Sequence, residues 1–312
     1  MQVIYSVDDF PSDVETAVTI GTFDGVHTGH QKIFDELIKT ARESKKKSVV
    51  FTFEPHPRKV LTNNNSKLDL INIIEEKIEL FNLISLDFLV IQKFSKKFSK
   101  INPLDFVKDF LIEKLNLKYL IVGYDHQFGK NRNGTFDSLQ KYSQIFGFSL
   151  KKIDVYENFE IVISSTKIRS LIASGKIEMA NKLLGYNYFF SGIVTQGNGI
   201  GKELGFATAN LQISKEKVHA QNGVYVVFAY VKKVRHSAMM NVGYNPTFEN
   251  DILNEKKVEV HIFDFTRNIY GEIIKIEVIK KIRNEVKFES KDKLMDQLKI
   301  DKQTSLSIIQ EL

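Results

Sequence analysis

No cysteine occurs among the 312 residues. That absence excludes disulfides, thiolate metal sites and a cysteine nucleophile. No apolar run reaches membrane-spanning length. The opening residues, MQVIYSVDDF, carry acids where a secretory leader carries a basic end and a long apolar stretch. The expectation is a soluble, cytoplasmic protein with no membrane partner. Internal repeats and low-complexity linkers are also lacking. Hydrophobic residues nonetheless make up 43% of the chain, enough for ordinary cores, and the length suggests two domains or one large one. The formal net charge is +6, but the lysines are scattered and only Lys45 to Lys47 form a run. Such a distribution fits a solvated surface and anionic small-molecule substrates better than nucleic acid.

Periodicity divides the chain. In the first half, strand-like runs near Ala17–Ile20, Ser48–Phe53, Phe88–Ile91, Tyr119–Val122 and Phe148–Val155 alternate with helix-like segments such as Ile74–Leu83 and Leu104–Leu115. This alternation predicts an α/β domain with a parallel, Rossmann-like sheet, whose ligands sit beyond the carboxyl ends of the strands. After about residue 186, strand signals crowd together at Tyr188–Thr195, Val224–Val231, Ser237–Val242, Lys257–Phe265 and Ile273–Lys280, separated by Gly, Asn and Pro. That texture predicts an antiparallel sheet or barrel. A final amphipathic helix is expected over Lys291–Ile300. The domains are expected at 1–186 and 187–312.

Thr19-Ile-Gly-Thr-Phe-Asp-Gly-Val-His-Thr-Gly-His30 reads as strand, glycine-rich turn and helix entrance. A helix N-terminus offers unpaired N–H groups and partial positive charge to phosphate. Gly21, Gly25 and Gly29 permit a tight turn and close backbone approach. His27 and His30 can donate to phosphate oxygens or to a departing pyrophosphate. The stretch is neither a Walker A loop nor a G-x-G-x-x-G fingerprint. A His-x-x-His pair also fits a metal site, given a third ligand. The stretch resembles the H-x-G-H signature of the nucleotidylyltransferase superfamily.

Three more segments follow strands. Phe51-Thr-Phe-Glu-Pro-His-Pro57 holds His56 between prolines, either as a turn residue or beside a nucleotide pocket. Gly123-Tyr-Asp-His-Gln-Phe-Gly-Lys-Asn-Arg-Asn-Gly134 is a glycine loop carrying Lys130 and Arg132, in which Asp125 can accept from ribose hydroxyls or a base. Ile163-Ser-Ser-Thr-Lys-Ile-Arg169 opens a helix. Ser164 and Ser165 alone would serve as caps, but three hydroxyls with Lys167 and Arg169 suit a triphosphate, with Arg169 neutralising transition-state charge. In type and order, these segments resemble the adenylyltransferase module of bacterial FAD synthetases. The resemblance implies nucleotide contacts at Gly21, Phe23, Asp24, Gly25, Gly29, Asp125, Ser164, Ser165 and Thr166, with flavin near His56 and Phe128. His126-Gln127 stands where that family commonly carries Phe-Arg.

The second half has its own glycine cradle, Gly197-Asn-Gly-Ile-Gly-Lys-Glu-Leu-Gly-Phe-Ala-Thr-Ala-Asn-Leu211. Backbone N–H groups around Gly197, Gly199 and Gly201, with Lys202, can wrap a phosphate chain. Glycines alone would equally make a bulged hairpin. Thr208 and Asn210 offer hard oxygen ligands for Mg²⁺. In Val258-Glu-Val-His-Ile262, alternation sends Glu259 and His261 to one face, where a carboxylate can take a proton from an attacking alcohol. With Asn222-Gly-Val-Tyr, Asn241-Val-Gly-Tyr-Asn-Pro-Thr-Phe, Ile269-Tyr-Gly and Arg283-Asn-Glu-Val-Lys-Phe288, this half resembles riboflavin kinase. The resemblance implies Thr208 and Asn210 on Mg-ATP, Glu259 as base, and Arg283 and Glu285 near flavin. Ala207 replaces a usual proline, and Asn268 a commonly acidic residue.

Together the motifs imply a bifunctional enzyme that phosphorylates riboflavin to FMN and adenylylates FMN to FAD, with ATP as co-substrate of both steps. Two other readings stay open: an adenylyltransferase with a weakened kinase half, and a non-catalytic flavin- or nucleic-acid-binding protein.

Overall fold

The computed structural model describes residues 1–62, 68–124, 127–130, 133–154, 157–158, 161–197, 205–243 and 256–312. Two compact units result. The first comprises Met1–Leu68 and Ile74–Ser164, the second Asp69–Ile73 and Ser165–Leu312.

The first unit holds a six-stranded sheet in the order β1-β4-β3-β2-β5-β6, parallel throughout. The strands are β1 (Gln2–Ile4), β2 (Thr16–Ile20), β3 (Lys47–Glu54), β4 (Phe88–Lys93), β5 (Leu117–Gly123) and β6 (Ser149–Ile153). β2 is buried along its whole length, as expected of a parallel strand covered on both faces. The helices are α1 (Thr28–Glu43), α2 (Pro57–Leu61), α3 (Ile74–Asn82), a single turn α4 (Pro103–Asp105) and α5 (Phe136–Phe146). The chain runs β2, β3, β4 outward on one side, then returns to β5 and β6 on the other. The order therefore reverses between β2 and β5. Ligands of open α/β sheets bind beyond the carboxyl ends of strands at such a reversal, and here the loops after β2 and β5 flank it.

In this sheet and the helices around it, β1 and the helix after Asn102 differ from the sequence reading. β1, only three residues long, pairs with β4 and carries too little pattern to be noticed. The helix expected over Leu104–Leu115 is one α turn at Pro103–Asp105 continuing as a π-helical segment, Phe106–Ile112. Glu113 and Leu115 donate to the carbonyls five residues back, of Lys108 and Phe110. This wider coil carries Phe106 and Phe110 stacked at 5.6 Å within an aromatic cluster that includes Phe51, Phe98 and Phe128.

A two-stranded antiparallel pair, β7 (Glu157–Asn158) and β8 (Ile161–Val162), ends the first unit. The second opens with α6 (Ser165–Ala173) and α7 (Ile177–Leu184). Six antiparallel strands then close a barrel in the order β10-β13-β12-β11-β14-β9. They are β9 (Phe189–Thr195), β10 (Ala209–Ile213), β11 (Gly223–Val231), β12 (Val234–Gly243), β13 (Lys257–Ile262) and β14 (Ile273–Arg283). α7 is tied to the barrel through Asn181, whose amide donates to the Val278 carbonyl at 2.9 Å and whose Oδ1 accepts from Tyr188 N. The change in sequence period, near Gly185–Asn187, falls after this helix pair, where the barrel strands begin. Asp69–Ile73 joins the second unit because Leu70 pairs with Lys217 as an isolated bridge and the buried Lys217 ammonium donates to the carbonyls of Ile71 and Phe189.

The last helix, α8 (Lys291–Gln310), is twice the length expected from the apolar spacing. The polar run after Ile300 interrupts that spacing. Asp301 nevertheless faces inward, where its carboxylate receives both Nε and Nη2 of Arg283 at 2.7–3.1 Å, together with Gln297. Beyond it, Ile308 and Ile309 pack on Val226, Phe228 and Ile279. Among the described residues, no helix is long and apolar enough to cross a membrane.

Candidate active sites

In the first unit the turn after β2 is built on glycine and aromatic rings. A Cβ at Gly21 would lie 2.8 Å from the ring of Phe23, so that position admits only glycine without displacing the ring. Phe23 takes φ +46° and Val26 φ +38°, both in the left-handed region that side chains seldom occupy. The conformation is held by packing: Phe23 meets Phe34 edge-on at 5.0 Å and Phe81 at 6.3 Å, and its ring also meets His30 at 5.2 Å. Gly25, at φ +86°, completes the reversal, and Asp24 is buried within it.

His27 caps α1. Its Nδ1 accepts from His30 N at 3.3 Å, and its ring stacks on that of His30 with centroids 3.6 Å apart. A Cβ at Gly29 would come within 3.2 Å of the His27 ring, so Gly29 makes room for the stack. Burial lowers the His27 imidazole to about 4. Burial also holds His30 well below the ordinary range, reinforced by the charges of His27 and Lys77. Both rings are therefore neutral at pH 7, and His30 Nδ1 is buried without a hydrogen-bond partner among the described residues. Two neutral imidazoles and a helix N-terminus make a dry site that gains most from an incoming anion, which would draw both histidines toward protonation. Among the described residues, no third His, Cys, Asp or Glu joins them in a metal-binding group.

The other expected residues of this unit are placed as follows. His56 is buried and caps α2, its Nδ1 accepting from Arg58 N at 3.1 Å. Phe128 belongs to the aromatic core. It pairs with Gly134 through both backbone groups, and a Cβ at Gly134 would collide with its ring. Asp125, His126 and Arg132 lie outside the described residues. Ser164 is half-buried at the end of the first unit, while Ser165, Thr166 and Arg169 stand on the first turns of α6 in the second.

Lys77 on α3 was not singled out from sequence. It is buried, and its Nζ donates to the Thr22 carbonyl of the glycine turn at 3.0 Å. The available signal was its spacing: Lys77 falls on the same helical stripe as Ile74 and Phe81, where a solvated lysine has no reason to be.

In the barrel, strand register does the positioning. Asn210 on β10 sits directly opposite Glu259 on β13, and also opposite Thr195 on β9. Glu259 in turn faces Asn241 on β12. Directly paired residues share a face with Cβ atoms about 5 Å apart, so Thr195, Asn210, Glu259 and Asn241 form one polar row across four strands. Asn241 is the second residue missed; the signal was its place at the head of Asn-Val-Gly-Tyr-Asn-Pro. Burial raises the Glu259 carboxyl above the usual carboxylate value, against the opposing pull of Lys257. A carboxylate made more basic in this way is suited to accept a proton.

Gly197 lies against the Asn210 amide so closely that any Cβ would overlap it. Gly199, Gly201 and Lys202 lie outside the described residues. Thr208, half-buried, precedes β10. The turn before it is fastened by His261, whose Nδ1 lies 2.8 Å from the Ala207 carbonyl, with its ring between Phe206 and Phe263. Arg283 is engaged by Asp301, as described, and Asn222 donates to Glu285 at 3.2 Å.

Two family models match the chain: FAD synthetase over residues 10–167 and riboflavin kinase over residues 184–309. A bifunctional riboflavin kinase/FMN adenylyltransferase of Buchnera aphidicola (from Schizaphis graminum) is 39% identical over 92% of this chain and 91% of that protein. The Bacillus subtilis protein of the same name is 34% identical over 96% and 94%. A Streptococcus pneumoniae crystal structure, described as a macrolide-efflux protein, superposes with a TM-score of 0.88 at 32% identity, over 97% of this chain and 98% of that one. The H-x-G-H turn thus falls within the first matched region and the Asn210–Glu259 pair within the second; with relatives matched nearly end to end, the chain belongs to the bifunctional riboflavin kinase/FMN adenylyltransferase family.

Proposed function

We propose that this chain converts riboflavin to FAD in two ATP-dependent steps, one in each half of the chain. The observation that carries this reading is that each unit holds its own polar site: the stacked His27 and His30 at the start of α1 in the first, and Asn210 facing Glu259 across the strands of the barrel.

In the barrel, the terminal hydroxyl of riboflavin attacks the γ-phosphorus of ATP. The new O–P bond forms as the bond to the β-phosphate oxygen breaks, ADP leaves, and Glu259 takes the hydroxyl proton. Its burial-raised basicity and its position opposite Asn210 support that role. The donor set Thr208 and Asn210, two neutral oxygens, suits Mg²⁺ held chiefly by nucleotide phosphates. When bound, the ion would supply charge neutralisation on those phosphates. Thr195 and Asn241 extend the same row and orient Asn210 and Glu259.

In the α/β unit, the FMN phosphate attacks the α-phosphorus of a second ATP, and pyrophosphate leaves. A phosphate monoester is already nucleophilic, so this step is mostly positioning and charge stabilisation. His27, His30 and the start of α1 would meet the growing charge. Gly21, Phe23, Asp24, Gly25 and Gly29 shape the nucleotide turn. Roles for Asp125, Ser164, Ser165, Thr166 and Arg169 at the nucleotide, and for Gly199, Gly201 and Lys202 at the kinase phosphates, rest on motif order. The same is true of flavin contacts at His56, Phe128, Arg283 and Glu285. Phe128 already packs on Phe106 and Arg283 is already bonded to Asp301, contacts a flavin would have to share. The residues expected as 1–186 and 187–312 remain the proposed functional halves, and the substrates are small molecules handled in the cytoplasm.

A chromatographic time course with riboflavin, ATP and Mg²⁺ tests the reading. FMN should appear first and FAD follow. FAD formed only from supplied FMN would favour the weakened-kinase reading, and no conversion by folded protein would leave a binding protein.

A further inference from the structure

Lys77 lies beneath the glycine turn of the first unit. It projects from α3 one helical turn before Phe81, and Phe81 packs on both Phe23 and Phe34. The Lys77 ammonium therefore arrives at the turn from the aromatic side. It is 3% exposed, and its Nζ donates to the Thr22 carbonyl at 3.0 Å; the same oxygen lies 3.4 Å from the Thr52 hydroxyl. The charge is balanced by Asp24 in the turn and by Glu54 at the end of β3.

A buried ammonium is expensive to keep, because burial works against the charged form. A helix needing only an apolar contact here would carry leucine or methionine. What the lysine adds is direction and charge. The Thr22–Phe23 peptide is trans, so a carbonyl held toward Lys77 sends the Phe23 N–H the opposite way. The clamp thus sets which face of the turn presents N–H groups. The positive charge also reaches His30, whose imidazole it helps hold neutral.

We propose that Lys77 is a positioning residue for adenylyl transfer: by clamping the Thr22 carbonyl between α3 and the glycine turn, it aims the turn's backbone N–H groups at the nucleotide phosphates and fixes a positive charge behind them. The inference rests on the adenylyltransferase reading of this unit. It adds a residue outside the H-x-G-H stretch and outside every glycine loop. The charged and titratable groups that act with Lys77 are Asp24, Glu54, His27 and His30.

The test uses full-length protein with Lys77→Met and Lys77→Arg. FMN adenylylation and riboflavin phosphorylation are measured separately, and the His30 ring is titrated by NMR. Lys77→Met should lower kcat for FAD formation roughly 10–100-fold while riboflavin phosphorylation stays at the wild-type rate. The His30 midpoint should rise in Lys77→Met, because one of the charges that lower it is gone while burial, the main cause, is kept; a midpoint that rises equally in Lys77→Met and Lys77→Arg would mark loosened packing instead and overturn the proposal. Lys77→Arg, which keeps the charge, should recover part of kcat and leave the His30 midpoint low. A wild-type kcat and an unmoved His30 midpoint in folded Lys77→Met would overturn the proposal. Should Lys77→Met fail to fold, wild-type protein labelled at lysine Nζ replaces it. Inorganic pyrophosphate should then shift one slowly exchanging ammonium resonance, and the absence of any shift would overturn the proposal. If wild-type protein itself fails to adenylylate FMN, the reading of the unit fails, which is a different result from Lys77 being dispensable in an active enzyme.

Discussion

The two sites are assembled by different means. In the first unit, the turn is held from below by side chains: the Phe23, Phe34 and Phe81 rings, the buried Lys77, and a histidine stack packed closely on Gly29. In the barrel, the side chains are held by register. Asn210, Glu259 and Asn241 lie in line because β10, β13 and β12 pair at those residues. A site built on packing shields its histidines and drives them to neutrality. A site built across strands stays half-exposed and tunes one carboxylate. The first should be sensitive to volume and desolvation, the second to anything that disturbs a cross-strand neighbour.

The most damaging way to break this contrast is to add one methyl group to each site. Gly21→Ala forces the Phe23 ring to move and should reduce FAD formation by about 10²-fold, leaving FMN formation intact. Gly197→Ala displaces the Asn210 amide from beside Glu259 and should do the reverse by a similar factor. Separate initial rates with riboflavin and with FMN check both.

Next in size is the barrel's helix latch. Arg283→Met leaves the buried Asp301 carboxylate without its guanidinium. Because Arg283 is itself partly solvated, the loss should be about 2–3 kcal/mol, short of that for a fully buried pair. Urea unfolding followed by circular dichroism would measure it. Should Arg283 be held by flavin instead, riboflavin KM would rise with little change in stability.

Acid separates the sites more gently. His27 is lowered to about 4 when folded and titrates near 6.5 when unfolded. The unfolded state therefore binds the proton first, and stability present above about 6.5 is lost as pH falls toward 4. His30 acts in the same direction. Glu259 has the opposite sign. Its raised value makes the folded state the better proton acceptor, so acid protects that group's contribution to barrel stability while removing the ionised base. Denaturation midpoints at pH 5 and pH 7, compared with His27→Gln, should show the loss and its reduction. The acid limb of FMN formation should lie above the ordinary carboxylate value.

The smallest effect is expected at Ala207. The His261 contact on the Ala207 carbonyl already fastens the turn that proline would stiffen. Ala207→Pro should therefore change the phosphorylation rate by less than about twofold and stability by about 0.5 kcal/mol. A large gain in rate would mean that the kinase half is weakened as it stands.

Much of this was legible in the sequence. Parallel strands such as Thr16–Ile20 and barrel strands such as Gly223–Val231 announce themselves by length and pattern. Glycine turns name their neighbours, and motif order names the family. What escaped has physical causes. β1 is three residues long, and β10 lies within a motif read for its ligands, so neither offered enough pattern. The π-helical segment depends on how Phe106 and Phe110 pack. Asp301 looked like the end of a helix because its partner, Arg283, lies on another element. Lys77 went unnoticed because nothing local says that α3 turns that stripe toward Thr22. Asn241 gains its meaning only from its register with Glu259.

The central claim is that each half of the chain carries one step. It is tested most directly by assaying His30→Ala and Glu259→Gln for both half-reactions, singly and mixed. His30→Ala should make FMN from riboflavin at the wild-type rate and almost no FAD. Glu259→Gln should make FAD from supplied FMN, with riboflavin phosphorylation down by about 10²–10⁴-fold. A mixture of the two should make FAD from riboflavin. Loss of both steps in either folded variant would contradict the account.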